Sequence, residues 1–328
     1  MIHFADRLTE QIRSKQNPTV MGLDPMLDYV PESLRRVSRV EHDDLAEAAG
    51  AAITQFNFQL IDAVADIIPA IKPQFAYYEQ YGAPGYRALQ RTIEYARSKG
   101  LLVIADAKRN DIGSTAEAYS RAILGETDLG SERETASPFK EGHPVLQAFL
   151  GADCITLNGY LGYDGIEPFV QQCHANGQGA YILVRTSNPS AGDLQDLELA
   201  DGRPVYEAMA AKVSSWGEPL IGTSGYSSIG AVVGATWPEQ AHKLRQIMPH
   251  SLILVPGYGA QGATADDAVA SFGLDGQGAI VNASRSLMLA YRKHKMPAEA
   301  FADAARQEAL AMRQDLQQAL IRAGKPIA

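Results

Sequence analysis

Three charged side chains, Asp106, Lys108 and Asp111, stand within six residues of one another in the stretch IADAKRNDIGSTAEAY, Ile104 to Tyr119. Strand residues two apart share a face. If Leu101 to Lys108 is a strand, Ile104, Asp106 and Lys108 point the same way. A carboxylate and an ammonium then lie side by side at the strand's carboxyl end, with Asp111 in the turn beyond. Taken alone, D-x-K reads equally well as a structural ion pair. Two carboxylates and a lysine so close are costly to desolvate unless their charges alternate in a network, and such networks concentrate at functional sites. Lys72, in the earlier apolar run AIKPQF, would extend the array if its strand is a neighbour. Its other reading is a surface lysine at a loop start, and Asp24 in GLDP reads equally as Asp-Pro turn chemistry.

A second constellation suits an anion. In VPGYGAQGAT, Val255 to Thr264, an apolar run opens into Gly257, Gly259 and Gly262 before a helical pattern. Glycines let backbone N–H groups approach an anion, and a helix N-terminus adds a favourable dipole. Arg285, in VNASRS after the next run, could grip a phosphate bidentately. A third stretch, RTSNPSAG, offers Thr186, Ser187 and Asn188 as neutral hydrogen-bonding groups for a polar heterocycle, or simply as a turn.

The elements that must position these groups alternate along the chain. Eight β-rich runs are predicted: Thr19 to Asp24, Ala70 to Phe75, Leu101 to Lys108, Cys154 to Asn158, Tyr181 to Thr186, Ile229 to Gly234, Leu252 to Pro256 and Ala279 to Ala283. Helical patterns lie between nearly all of them: Phe4 to Ser14 before the first, then about Asp43 to Asp66, one from near Pro84, Pro238 to Ile247, Ala263 to Phe272 and, last, Ala298 to Ile321. Ser114 and Glu117 fit an S-x-x-E capping box before a helix that runs to Ile123. This alternation predicts an α/β fold, a (β/α)₈ TIM barrel, although an open doubly wound sheet gives a similar pattern. Most runs end on a polar residue (Asp24, Lys72, Lys108, Asn158, Thr186), and a barrel converges those ends on one mouth. The expected organisation is a single domain over 1–328 with extra helices and two insertions, 125–142 and 188–202. In a barrel the glycine loop follows the seventh strand and Arg285 the eighth, where phosphate sites are frequently built.

Composition narrows the function classes. Hydrophobic residues make up 46 % of the 328 and charged residues 20 %, enough apolar material for a large core. A net charge of −9 without a Lys/Arg block speaks against nucleic acid or anionic membrane as the main partner. Two cysteines make no disulfide framework, and Cys154 and Cys173 are expected to be core thiols. No run approaches a membrane span and the N-terminus lacks a signal-type apolar region, so a cytoplasmic location is expected. The seven histidines make no metal-ligand spacing, and neither a G-x-S-x-G elbow nor a G-x-x-x-x-G-K-[ST] loop occurs, so no metal is expected.

With these motifs in hand, the chain resembles the orotidine 5'-phosphate decarboxylase family, most closely its longer bacterial (type 2) subfamily. Asp106, Lys108, Asp111, Ile112 and Thr115 fall on a DAKRxDIGSTA stretch, with Asn110 where a glycine is expected. GLDP, IKPQFAYYE, PGYGAQG and Ser284-Arg285 extend the resemblance over most of the chain. It implies a cofactor-free barrel, usually a homodimer, that converts orotidine 5'-monophosphate to UMP and CO₂. Under it Lys108 would protonate C6 of the pyrimidine and Asp106 would lie beside the substrate carboxylate. Lys72 would hold the ribose and orient Asp106. Asp111 and Thr115, with Ile112 between them, would reach the partner subunit's site. Asp24 would bind the nucleoside and Ser187 the base. Gln261 and Arg285 would hold the phosphate, alongside Pro256, Gly257 and Ser284. Other readings are a Mg²⁺-dependent relative on the same barrel, such as 3-keto-L-gulonate 6-phosphate decarboxylase or hexulose-phosphate synthase, a Schiff-base aldolase using Lys108, and a nucleotide sensor without turnover.

Overall fold

The computed structural model describes residues 2–125, 127–128, 145–146, 149–259 and 262–327. Eight parallel strands close into a barrel: β1 (Thr19–Leu23), β2 (Ala70–Pro73), β3 (Leu102–Arg109), β4 (Cys154–Leu157), β5 (Gly179–Arg185), β6 (Ser227–Val233), β7 (Ser251–Val255) and β8 (Ala279–Ala283), with β1 pairing to both β2 and β8. All eight predicted runs are strands, displaced by a few residues at most, and closure removes the open-sheet alternative. Every residue of β1, β6 and β7 is buried, because helices cover the outside while side chains fill the inside.

The amino ends of the strands are sealed by α1 (Phe4–Lys15). Its Phe4, Ala5, Leu8 and Ile12 pack with Val20, Ala70, Leu102, Ile104 and Tyr181 in the barrel interior. Arg7 Nη1 donates to Asp153 Oδ1 at 2.6 Å, fastening this plug to the start of β4. That end of the barrel is thus packed shut, and the polar strand ends converge at the other.

The helical segment predicted from Asp43 is α3 (Leu45–Val64), capped by Asp44, whose Oδ1 accepts from Ala46 N and Glu47 N. Before it stands an unanticipated helix, α2 (Glu32–Glu41), which is amphipathic but buries only Ser38. After α4 (Gly82–Ser98) and β3, the S-x-x-E box does not form. Helix α5 (Gly113–Ile123) starts one residue before Ser114, its N-cap Ile112 makes no side-chain cap, and Glu117 pairs with Arg121 instead. Both cysteines are buried and free.

The 188–202 insertion is more than a loop. It contains short helical turns at Pro189–Ala191 and Gly192–Gln195 and a backbone bridge between Glu198 and Pro204. Most of 125–142 lies outside the described residues; Thr127–Asp128 pairs antiparallel with Val145–Leu146.

Candidate active site

Asp106 is the hub of the barrel mouth. Its Oδ1 receives Lys108 Nζ at 2.6 Å and Thr156 Oγ1 at 2.9 Å, while its Oδ2 receives Gln74 Nε2 at 3.1 Å and, closer still, Lys72 Nζ. Adjacent strands make this contact, since Gln74, just past β2, bridges to Asp106 of β3. Burial alone would push the Asp106 carboxyl up, but the Lys72 and Lys108 ammoniums more than reverse this and hold it well below the ordinary range. Lys72 is fully enclosed; desolvation opposes its charge, yet Asp106 and then Asp24 raise its pKa above the ordinary lysine value. Asp24 Oδ1 is itself buried without a hydrogen-bond partner among the described residues.

Lys108 owes its position to an irregular backbone. Between Ala105 and Arg109, β3 spends four residues against two on β4, and Lys108 takes φ 47°. A non-glycine residue in this left-handed region is strained and needs its surroundings to hold it. Thr156 does so by accepting from Lys108 N at 3.1 Å. The ammonium is thereby turned onto the Asp106 carboxylate, although its side chain remains 45 % exposed towards the mouth.

Lys72, Asp106, Lys108 and Thr156 line a cavity of about 410 Å³ whose remaining wall comes from Leu183, the 186–188 segment, Gln195, Val232, Leu254 and Pro256. One wall is thus charged, another neutral and polar, and the floor apolar. Ser187 is admitted by the absence of a side chain at Gly234, where a Cβ would stand 2.9 Å from that of Ser187.

Beyond Pro256 the backbone turns through Gly257 (φ 101°), Gly259 (φ 69°) and Gly262 (φ 93°), conformations that favour glycine. Gln261 lies outside the described residues. The helix that follows is only Ala265–Val269, and its N-terminus is closed by a capping box in which Thr264 N donates to Asp267 Oδ2 at 2.8 Å. One amide of that N-terminus, Asp267 N, is already taken by Thr264 Oγ1. Arg285, exposed at the end of β8, has no ion pair among the described residues. Ser284, half-buried, fits beside β1 because Gly22 is there, where a Cβ would come within 1.9 Å of its Oγ.

Asp111, Ile112 and Thr115 do not line their own chain's cavity. Ile112 is 54 % exposed, Thr115 is exposed, and Asp111 Oδ1 accepts from Ile112 N at 2.8 Å. This turn lies against Gly165, near the exposed Tyr160, Leu161 and Tyr163.

Residues 44–301 match the Orotidine 5'-phosphate decarboxylase / HUMPS family. The chain belongs to this family. It is 42 % identical over 321 residues to the orotidine 5'-phosphate decarboxylase of Rhodopirellula baltica, covering 96 % of this chain and 99 % of that one. Its counterpart in Caldicellulosiruptor saccharolyticus is 40 % identical over 295 residues, 90 % of this chain and 92 % of the relative. Among solved structures, a putative orotidine 5'-phosphate decarboxylase of Streptomyces avermitilis superposes with a TM-score of 0.71 at 31 % identity, covering 96 % of each chain. The OMP decarboxylase of Leishmania donovani gives 0.67 at 29 %, covering 95 % of this chain and all of the other.

Within this orotidine 5'-phosphate decarboxylase / HUMPS chain, three residues of the mouth escape a reading based on strand ends alone. Gln74 and Thr156 carry a signal: each lies two residues from a residue marked in the sequence, Lys72 and Asn158, and so shares its face. Gln195 carries none, because only the folding of the 188–202 insertion brings it to the cavity.

Proposed function

We propose that this barrel, as a single-domain cytoplasmic homodimer, decarboxylates orotidine 5'-monophosphate to UMP and CO₂ in pyrimidine biosynthesis, making it a carboxy-lyase. The observation that carries the site assignment is the Lys72–Asp106–Lys108 array, with Lys72 and Asp106 buried, opening onto a cavity whose neutral polar wall includes residues 186–188 and whose rim reaches Pro256, just before the glycine loop.

The chemistry follows from charge. As the bond from C6 to the carboxylate breaks, its electron pair stays in an sp² orbital that the ring π-system cannot delocalise. Fixed positive charge must stabilise it, and the Lys108 ammonium supplies both charge and the proton that ends on C6. Asp106 aims that ammonium through their 2.6 Å contact, and its own charge faces the departing carboxylate. Thr156 and Gln74 hold Asp106 in place, and Lys72 reaches the ribose. One ammonium at about 4 Å from a developing anion is worth roughly 4 kcal/mol at an effective dielectric near 20. That falls short of the roughly 8–23 kcal/mol enzymes supply, so binding energy from the remote phosphate must contribute. Loop amides after Pro256, Gln261 and Arg285 hold that phosphate, with Ser284 beside it, and Asp24 and Ser187 take the nucleoside and base.

Asp111 and Thr115 serve the neighbouring subunit. Their outward placement beside an apolar rim of Ile112, Tyr160, Leu161 and Tyr163 supports this reading. The Mg²⁺-dependent branch is disfavoured because a metal would sit by the second strand, where the Lys72 ammonium repels it. Schiff-base chemistry at Lys108 is disfavoured because its nitrogen is engaged by the Asp106 carboxylate at 2.6 Å rather than free to attack a carbonyl.

The test is purified protein with orotidine 5'-monophosphate, followed by the ultraviolet change as UMP forms, with and without EDTA. Turnover in both is expected. Binding of UMP without turnover would favour the sensor, and a Mg²⁺ requirement the metal-dependent branch.

A further inference from the structure

Arg185, the last residue of β5, is 1 % exposed, although a guanidinium is rarely so enclosed. It stacks on Trp237, 4.3 Å from the ring centroid, with Tyr206 at 5.5 Å. Its Nη2 donates to Asp196 Oδ2 at 3.1 Å and its Nη1 reaches Gln195 Oε1 at 3.4 Å. Trp237 is fixed in turn, its Nε1 donating to Thr186 O at 3.1 Å. A buried cation in a cage of this kind clamps the 188–202 insertion onto the barrel.

The clamp determines which way the polar wall faces. Gln195 Oε1 accepts from two obligate donors, Arg185 Nη1 and Thr186 N (3.0 Å), so its amide has one orientation. Gln195 Nε2 must then donate to Thr186 Oγ1, at 2.8 Å. The Thr186 hydroxyl passes its own hydrogen to Asn188 Oδ1, and the 2.6 Å separation is an O–H···O length, too short for an amide N–H donor. Asn188 is left with both Nδ2 hydrogens unpartnered among the described residues, and it lines the cavity. The chain Arg185, Gln195, Thr186, Asn188 therefore ends in a hydrogen-bond donor.

We propose that Arg185 is a positioning residue that acts through Gln195 and Thr186 to make Asn188 a donor to the ring carbonyl at C4, so that the pocket takes a keto pyrimidine in preference to an amino one. This rests on the function proposed above. With C6 at Lys108 on β3 and the phosphate at the ends of β7 and β8, the ring edge remote from the sugar faces β5. A 4-amino group would there meet the Asn188 donors with a donor of its own.

The experiment measures UMP and CMP binding to the wild type, Arg185→Lys, Asn188→Ala and the double variant, with kcat and KM for decarboxylation. Wild type should prefer UMP. Each single variant should lose about tenfold of that preference, the scale of one neutral hydrogen bond. KM should rise with kcat little changed, as expected when uniform binding is lost. The double variant should be no worse than either single one, because both act on one contact. Asn188 is exposed on the surface of the insertion, so Asn188→Ala carries the test if Arg185→Lys fails to fold. Equal weakening of UMP and CMP, or additive losses, would overturn the proposal and leave the decarboxylase reading intact. A wild type that binds neither nucleotide would overturn both.

Discussion

The Lys108 ammonium stands 2.6 Å from Oδ1 of Asp106, two residues back along the same strand, on a backbone that enters the left-handed region at Lys108. In a regular strand two such side chains run parallel. Here the bulge of β3 bends one onto the other, and Thr156 anchors both by accepting from Lys108 N and donating to Asp106. The Lys108 ammonium is thus aimed by strain that the fold maintains.

Acid should disturb the array through Asp106. Its carboxyl is held below the unfolded value, so its stabilisation is present above that value and is lost as pH falls towards the folded one. Thermal melts should therefore show Tm falling between about pH 5 and pH 3 more steeply in wild type than in Asp106→Asn. Lys72 has the opposite sign. Its raised pKa keeps its contribution complete below the unfolded lysine value, so it adds nothing to this acid limb.

If Asp111 serves the neighbouring subunit, two dead variants should repair one another. Lys108→Ala and Asp111→Ala, each inactive alone, should regain about a quarter of wild-type activity after mixing and subunit exchange, because one site in each mixed dimer is whole. No recovery, with exchange verified by mass, would assign Asp111 to its own chain.

Away from the mouth, Arg245 holds the barrel's lower rim. Its guanidinium donates to Ser271 O, Met248 O, Ser251 O and Gly278 O at 2.7–2.8 Å, and burial pushes its pKa down to about 10. Arg245→Met should cost roughly 3–5 kcal/mol in denaturant unfolding, since those carbonyls lose a charged donor inside the protein. The kcat of the folded fraction should not change. A loss under about 1 kcal/mol would mean that water replaces the guanidinium.

The barrel was legible because most strands are apolar runs ending in a polar residue, and because neighbouring strands in sequence are neighbours in space. That placed Lys72 beside Asp106 before any coordinates. Helix α2 was hidden, as its sequence ESLRRVSRVE buries almost nothing. The Ser114 capping box failed because Gly113 already supplies the turn, at φ 51°. The Arg185 clamp could not be read at all: an arginine closing an apolar strand looks like a surface charge until Trp237, from the loop after β6, covers it.

In the proposed reaction Lys108 delivers the proton to C6. Lys108→Ala should lower the rate of UMP formation from orotidine 5'-monophosphate by about a thousandfold or more, the scale of a lost proton donor and fixed charge. UMP binding and the folded state should be retained. A Lys108→Ala enzyme turning over within about tenfold of wild type would contradict the account, since one misplaced hydrogen bond could explain so small a change.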